Sequence, residues 1–212
     1  MIAQPLIEVC VDRLEALREV QHGEADRIEL CSRLDLDGLS PEAELLEAAL
    51  ADARIPVVAM VRPRPGPFQV SPEDLELMQS ELRALRGRGL AGVVLGAITD
   101  DGRVDRPAMR RLMAAAGDLP VVFHRAFDRC ADLPRALEEL VDLGVRRVLT
   151  SGGAPSAWEG RAALRALVER AAGRIEILAG GGVRDHVLAD LLAATGVEQV
   201  HASVLLRPTG RA

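Results

Sequence analysis

Residues 6–31 read LIEVCVDRLEALREVQHGEADRIELC, and the order of structural signals in this stretch indicates the fold class. Two short, mainly apolar segments, Leu6–Val11 and Arg27–Cys31, have the length and composition of buried β-strands. The segment between them, Arg13–His22, has the amphipathic pattern of a helix. A strand, a helix and a second strand in this order predict two parallel strands joined by a right-handed crossover.

The same unit recurs along the whole chain, with connections too short for a second domain. Eight strands alternating with seven helices predict one α/β domain over residues 1–212, a (β/α)8 TIM-type barrel. The expected strands are Leu6–Val11, Arg27–Cys31, Pro56–Arg62, Gly92–Ile98, Val121–Phe127, Arg147–Ser151, Glu176–Ala179 and Gln199–Ser203. The expected helices are Arg13–His22, Pro41–Ala53, Pro72–Arg88, Arg106–Ala116, Leu133–Leu143, Ala157–Ala172 and Arg184–Ala194.

An open, doubly wound sheet is the competing architecture. That fold favours a GxGxxG turn after its first strand, whereas this chain has Asp12-Arg13-Leu14-Glu15 there. The barrel is therefore the better prediction. Only residues 204–212 follow the eighth strand, so we expect the eighth helix to be short or missing and the bare flank to be a contact in a homo-oligomer.

Composition narrows the class of protein. Hydrophobic residues make up 49% of the 212 residues, enough for a sizeable core, and no apolar run approaches the roughly 18 residues of a membrane span. The first residues, Met-Ile-Ala-Gln-Pro, lack the basic segment of a signal peptide, which predicts a soluble, cytoplasmic protein. The net charge is −6 with intermixed signs, and one Trp and three Phe offer little stacking surface, so neither nucleic acid nor membrane is an expected partner.

Two residue counts exclude particular chemistry. The chain contains no lysine, so its 26 basic residues are all arginine, and an aldolase-type Schiff base on a lysine side chain is impossible. The three cysteines are scattered without CxxC spacing, which is not the pattern of a disulfide framework.

A repeated Glu-x-Cys pattern ends the first two strands, as Glu8-Val9-Cys10 and Glu29-Leu30-Cys31. Alternation along a strand places each Glu and its Cys on one face, and parallel neighbours lie about 4.8 Å apart. Two thiols and two carboxylates would then share one patch. Cys10 and Cys31 are suited to a two-thiolate Cu(I) site, or they are buried apolar fillers. The roles of Glu8 and Glu29, acid/base catalysis or metal ligation, remain open.

Further candidate residues lie at other strand ends, where barrel active sites are found. Ser151-Gly152-Gly153 and Gly180-Gly181-Gly182 are either anion-binding loops or simply tight turns, with Arg62, Arg125 or His124 as a helper in anion binding. Of His124 and Arg125, alternation allows only one to face the lumen. A lumen His124 would be a general acid or base, and the alternative is a buried, hydrogen-bonded histidine.

Seven segments together resemble the CutC family, which is associated with copper homeostasis, and the resemblance covers essentially the whole chain. Phe-His-Arg-Ala-Phe-Asp (123–128) and Thr-Ser-Gly-Gly-Ala-Pro (150–155) are its most specific motifs. The others are Ile7–Cys10, Asp26–Ser32, Met60–Arg64, Ala179–Arg184 and His201–Ser203.

The resemblance implies a cytoplasmic TIM-type barrel that forms dimers or higher oligomers, with Cu(I) ligated by cysteines that match Cys10 and Cys31. The chain departs from the family pattern near the third strand. Val58 stands where the family often has His, and Val70 where Tyr is common. Any activity that depends on those polar groups is therefore not expected here.

Three functions follow from these observations. The first is a copper-binding protein that uses Cys10 and Cys31. The second is a barrel enzyme acting without Schiff-base chemistry on a small phosphorylated or carboxylated metabolite, with Glu8, Glu29, His124 and Arg125 as candidate catalytic residues. The third is a non-catalytic oligomeric scaffold.

Overall fold

The computed structural model describes residues 4–23 and 25–203, and within these ranges the chain alternates eight strands with seven α-helices. The strands are β1 Leu6–Val11, β2 Arg27–Leu30, β3 Val57–Met60, β4 Gly92–Leu95, β5 Val121–Phe123, β6 Arg147–Thr150, β7 Glu176–Ala179 and β8 Gln199–Ala202. The helices are α1 Leu14–Gln21, α2 Ala43–Asp52, α3 Pro72–Leu85, α4 Arg106–Ala116, α5 Leu133–Asp142, α6 Arg161–Ala171 and α7 Asp185–Thr195. None of the described helices is long and apolar enough to cross a membrane.

The strands are all parallel, pair in sequence order and close into a barrel through β8 and β1. The predicted TIM-type barrel is confirmed. Glu8 stands opposite both Arg27 of β2 and His201 of β8, and Cys10 stands opposite Glu29. The expectation of a short or missing eighth helix falls on residues 204–212, which lie outside the described residues.

Alternation divides each strand between two cores. Ile7, Val9 and Val11 of β1 belong to the large apolar layer between barrel and helices. A second, smaller cluster fills the barrel interior, with Cys31 and aliphatic side chains of β3 to β7: Val58, Met60, Val94, Val122, Leu149 and Leu178. Glu8 and Cys10 alternate with the outer residues of β1 and therefore face the lumen.

The fifth strand shows a change of structure type within its predicted range. The sequence predicts a strand over Val121–Phe127, but β5 ends at Phe123 and a 3₁₀ helix covers Arg125–Arg129. The reason is local, because the His124 side chain caps this helix by accepting a hydrogen bond from the Ala126 N–H at 3.2 Å. The other predicted elements are present with ends that differ by a few residues, and a short 3₁₀ helix at Leu34–Leu36 was not predicted.

The loop after β6 is held by a close backbone approach at Gly160, just before α6. A Cβ atom at this position would lie 1.8 Å from the Ser151 carbonyl oxygen, although the φ of −83° suits any residue. Gly173 is the converse case, with a left-handed φ of +76° and open space around a Cβ. The first glycine is required by sterics and the second by backbone conformation.

We therefore expect Gly160→Ala to lower the free energy of unfolding by at least about 2 kcal/mol, because it overpacks backbone against backbone. The matched Gly173→Ala substitution should cost only about 1 kcal/mol, the usual penalty of a left-handed Ala. Urea unfolding followed by circular dichroism measures both. A loss at Gly160 no greater than that at Gly173 would contradict this account of the loop.

Candidate functional site in the barrel lumen

Glu8 is the centre of a buried polar cluster in the lumen. Its side chain is fully buried, and Arg27 Nε donates to its Oε2 at 2.5 Å. Its Oε1 lies 2.9 Å from His201 Nδ1. Burial alone would raise the pKa of Glu8, but the hydrogen bonds and charges of His201 and Arg27 outweigh that effect and hold the pKa at about 2. Glu8 is therefore an ionised carboxylate with both oxygens engaged.

Glu29 occupies the same lumen in a different electrostatic state. It is 4% exposed, and its Oε2 has no hydrogen-bond partner, with His201 Nδ1 at 3.8 Å. Burial raises the pKa of Glu29, and the charge of Glu8 adds to this against the opposing attraction of His201 and Arg27, so that the pKa is about 7. Two carboxylates whose environments separate their pKa values have different chemical roles, one fixed as an anion and one able to exchange a proton.

His201 joins the two carboxylates. Burial would lower the pKa of its imidazole, but the negative charge of Glu29 and contacts with Cys10 and Glu8 raise it well above the ordinary value. Glu8, Glu29 and His201 each offer one ligand atom, and these three atoms lie within 4.8 Å of one another. Among the described residues, no other group of three or more His, Cys, Asp or Glu side chains brings its potential ligand atoms this close together.

The two predicted thiols lie beside this cluster. Cys10 is 7% exposed and donates to the Ala202 carbonyl at 3.6 Å, whereas Cys31 is fully buried and donates to the Val11 carbonyl at 3.5 Å. Burial raises the pKa of Cys31 strongly, and the nearby negative charge of Glu29 adds to the effect. The structure thus brings together Glu8, Glu29, Cys10 and Cys31, with the Cys31 thiol in its protonated form.

Polar contacts continue below this cluster toward the amino ends of the strands. Arg27 Nη2 donates to Gln199 Oε1 at 3.0 Å, and Gln199 Nε2 donates to Glu176 Oε2 at 2.8 Å. Glu176 is also paired with the buried Arg147. One connected set of polar groups therefore links β6, β7, β8, β1 and β2 through the lumen.

His124 lies elsewhere. It is buried at the end of β5, and its ring centroid is 4.9 Å from that of Phe68. Burial and the positive charge of Arg62 lower the pKa of His124 to about 3, so the ring is neutral and carries its proton on Nε2, since Nδ1 accepts from Ala126. Arg62 and His124 line a cavity of about 140 Å³ with Phe68 and Gly96, apart from the carboxylates.

Arg62 is tied to the backbone. Its guanidinium donates to the carbonyls of Leu36, Gly38 and Gly66, each at 2.9 Å, and lies over the Phe68 ring at 5.0 Å. These bonds join the loops after β2 and β3. Arg62 therefore has a structural role in this arrangement. Few of its N–H groups remain free to bind the anion that the sequence analysis assigned to it.

The predicted anion loop Ser151–Gly153 already holds a carboxylate of the protein itself. Asp128 accepts from the N–H groups of Ser151 and Gly153, both at 3.0 Å, and from the Thr150 hydroxyl at 2.5 Å. Arg125 Nε completes this arrangement by donating to Asp128 at 2.9 Å. The loop therefore has the geometry of an anion-binding nest, and Asp128 occupies it.

The second glycine loop is open. In the described part of the chain, the N–H groups of Gly181 and Gly182 donate to no acceptor, whereas Gly180 N–H donates to the Thr150 carbonyl at 2.9 Å. The Arg125 guanidinium lies beside this loop, since a Cβ at Gly181 would be 3.4 Å from its Nη1. Arg125 therefore lies at the rim with a side chain 42% exposed, and His124 is the buried member of the pair.

Sequence reasoning missed three residues of these clusters as site members. The alternation of side chains along β2 could have identified Arg27, because it lies two residues before Glu29 and so on the same face of the strand. His201 was visible as a polar residue at the end of the last strand. Nothing in the sequence pointed to Asp128 as the occupant of the loop after β6, because that contact spans 25 residues.

The closed parallel barrel and its buried carboxylate, imidazole and thiol groups define the class: a TIM-type barrel with a polar centre inside the lumen. The chain matches the model of the CutC family over residues 5–206 and belongs to that family. The resemblance found in the sequence motifs is confirmed.

Individual relatives agree with this assignment. The chain is 47% identical over 199 residues to family protein CutC of Vibrio campbellii, covering 93% of this chain and 81% of that protein. It is 43% identical over 198 residues to the human copper homeostasis protein cutC homolog, covering 93% and 72%. The crystal structure of CutC from Streptococcus agalactiae superposes with a TM-score of 0.90 at 32% identity, covering 95% of this chain and all of that one (100%).

Because the pKa values of Glu8 and Glu29 differ, we expect Glu8→Gln and Glu29→Gln to change the stability of the metal-free protein in opposite directions. Glu29 ionises near pH 7 when folded and near 4.5 when unfolded, so its contribution is fully present below pH 4.5 and is lost as the pH rises to 7. Glu29→Gln removes this loss. The variant should exceed the parent in free energy of unfolding by up to about 3 kcal/mol at pH 8, with the gain shrinking toward pH 5.

Glu8→Gln is the matched control for this measurement. It leaves Arg27 and His201 buried without their anion, so it should destabilise the protein by about 3 kcal/mol at neutral pH. Urea unfolding of both variants at pH 5 and pH 8, with chelator present, measures the two effects. A pH-independent effect of Glu29→Gln would show that Glu29 does not titrate in this range.

Proposed function

We propose that this CutC-family protein binds Cu(I) inside its barrel lumen through Cys10 and Cys31, as part of copper homeostasis. One observation carries the proposal: two thiols from neighbouring strands enter the same lumen. Cys10 stands opposite Glu29, and the Cys31 N–H donates to the Val11 carbonyl at 3.0 Å, which places Cys31 two residues further along than Cys10, toward the carboxyl ends of the strands. Thiolates select soft ions such as Cu(I) over hard divalent ones.

The surroundings of the thiols favour a cation. Burial is the largest cause of the raised pKa of Cys31, and the negative charges of Glu29 and Asp12 add to it. Those same charges attract a metal ion, which takes the place of the thiol proton when it binds. Met60, which belongs to the interior cluster with Cys31, adds a thioether sulfur to this part of the lumen.

The burial of the thiols also bears on the kind of ligand. Cys31 is fully buried and Cys10 nearly so, which leaves little surface for a metabolite to touch. A single ion needs far less room. The lumen donors therefore suit an ion better than an organic substrate.

Two wider features belong to the same proposal. The cysteines of the described chain are free and buried, as expected of a protein working in the reducing cytoplasm. A homo-oligomeric assembly follows from the family resemblance. Both are proposals for this chain.

We expect Cys10→Ser combined with Cys31→Ser to abolish Cu(I) binding, because a hydroxyl does not replace a thiolate for a soft ion. The measurement is an anaerobic competition titration of reduced protein against a Cu(I) chelator of known affinity. Cys130→Ser is the control, since this thiol donates to the Ala126 carbonyl at 3.9 Å and belongs to the outer apolar layer. Stoichiometric binding that survives the double substitution would refute the two-thiolate site.

A second candidate function is an enzyme acting on a small phosphorylated or carboxylated metabolite at the rim. The observation that favours it is the open loop at Gly181 and Gly182, whose free N–H groups lie beside the half-exposed Arg125. Backbone N–H groups next to a guanidinium are a common phosphate-binding arrangement. This site is separate from the thiols, so the two candidate functions are compatible.

On this second candidate, Arg125→Ala should weaken binding of inorganic phosphate or a small phosphate ester by about tenfold or more, since it removes a charge-assisted hydrogen bond. Arg129→Ala is the control, because this exposed arginine lies on the same 3₁₀ helix. Phosphorus NMR or calorimetry measures the affinity. Equal affinities for the two variants would remove Arg125 from an anion-binding role.

A further inference from the structure

Below the thiols, the lumen contains a second group of donors with different chemistry. Glu8 comes from β1, Glu29 from β2 and His201 from β8, and their ligand atoms lie within 4.8 Å of one another. Two ligands bound to one zinc-sized ion at about 2.0–2.2 Å are at most about 4.4 Å apart. The observed spacing therefore needs only a small side-chain movement to fit an ion.

An independent observation, an unpartnered carboxylate oxygen, points to a ligand at this group. Glu29 Oε2 is buried with no hydrogen-bond partner, on a residue that is 4% exposed. It is aimed into the group, with His201 Nδ1 at 3.8 Å. Buried polar atoms are almost always paired, so an unpaired oxygen at this position indicates a missing donor or ion.

The donor set selects the kind of ion. Two carboxylate oxygens and one imidazole nitrogen suit a borderline divalent cation such as Zn²⁺, whereas Cu(I) prefers sulfur and Mg²⁺ or Ca²⁺ prefers oxygen alone. Only one oxygen of Glu8 is needed. Arg27 holds Oε2 at 2.5 Å and leaves Oε1 on the side of His201.

Supporting contacts fix the ligands in place. Arg27 is itself held by Gln199, whose Oε1 accepts from Nη2 at 3.0 Å. Ligating carboxylates in metal sites are usually oriented by such outer hydrogen bonds. The hydrogen bond between Glu8 Oε1 and His201 Nδ1 is the contact that an ion would replace.

We propose that Glu8, Glu29 and His201 form a binding site for one divalent cation of the Zn²⁺ class, distinct from the Cys10–Cys31 pair. The site does not depend on the proposed Cu(I) function. The two sites lie next to each other in the lumen and select different ions by donor type.

The test is a titration of metal-free, reduced protein with Zn²⁺ in competition with a chromophoric chelator. The expected result is one Zn²⁺ per chain, with affinity lowered at least about 100-fold in Glu29→Gln, since removing a ligand costs more than disturbing its support. Glu29→Gln nearly preserves side-chain shape, so its folding is checked by circular dichroism in the same sample. Cys130→Ser is the control and should keep its Zn²⁺ affinity, because this thiol lies in the outer apolar layer away from the lumen.

Co²⁺ in place of Zn²⁺ reports the ligand type directly. A site of oxygen and nitrogen donors gives weak visible bands without a sulfur-to-metal charge-transfer band. No Zn²⁺ binding by the parent protein, an unchanged affinity in Glu29→Gln, or a charge-transfer band lost in the cysteine double variant would each overturn the proposal. Failure of the Cu(I) site is recognised separately, because it is read from Cu(I) titration of the cysteine variants.

Discussion

A line of hydrogen bonds and ion pairs, buried at Glu8, Arg27 and Arg147 and half-buried at Glu176 and Gln199, crosses the lumen from β6 to β2 and ties together the strands at which the barrel closes. It joins Arg147 to Glu176, then Gln199, Arg27 and Glu8. Charges taken out of water are tolerated only when they are paired. Because the partners sit on different strands, each pair is satisfied only when the neighbouring strands are in register, including β8 against β1.

The lumen is consequently divided into two halves. On β3 to β7 it is filled largely by aliphatic side chains such as Val58, Val94 and Leu178, which pack as in any barrel core. On β8, β1 and β2 the same depth is filled by Glu8, Glu29 and His201. A barrel built only for stability has no need of this polar half, so it is the part of the interior that we associate with function.

Glu8 and Glu29, which lie in the polar half of the lumen, differ in how many hydrogen-bond and ion-pair partners they have, and this difference separates their pKa values. Glu8 has two cationic partners and stays ionised, whereas Glu29 beside it is desolvated and has one oxygen unpaired. The thiols of Cys10 and Cys31 lie next to these carboxylates. The family's association with copper homeostasis and the donor atoms present in the lumen thus lead to the same expectation, that this interior accommodates metal ions.

Strand and helix periodicities are local, so they were sufficient to predict the barrel and to predict which side chains of β1 and β2 share a face. The sequence also marked Glu8, Cys10, Glu29 and Cys31 as neighbours. Three features became visible only in three dimensions: His201 contacts Glu8 across 193 residues, Asp128 fills the Ser151–Gly153 loop, and His124 lies apart from Glu8 and Glu29. Periodicity sets the face on which a side chain lies, whereas its contact partners depend on strand register and on how loops fold over the rim, and neither is encoded locally.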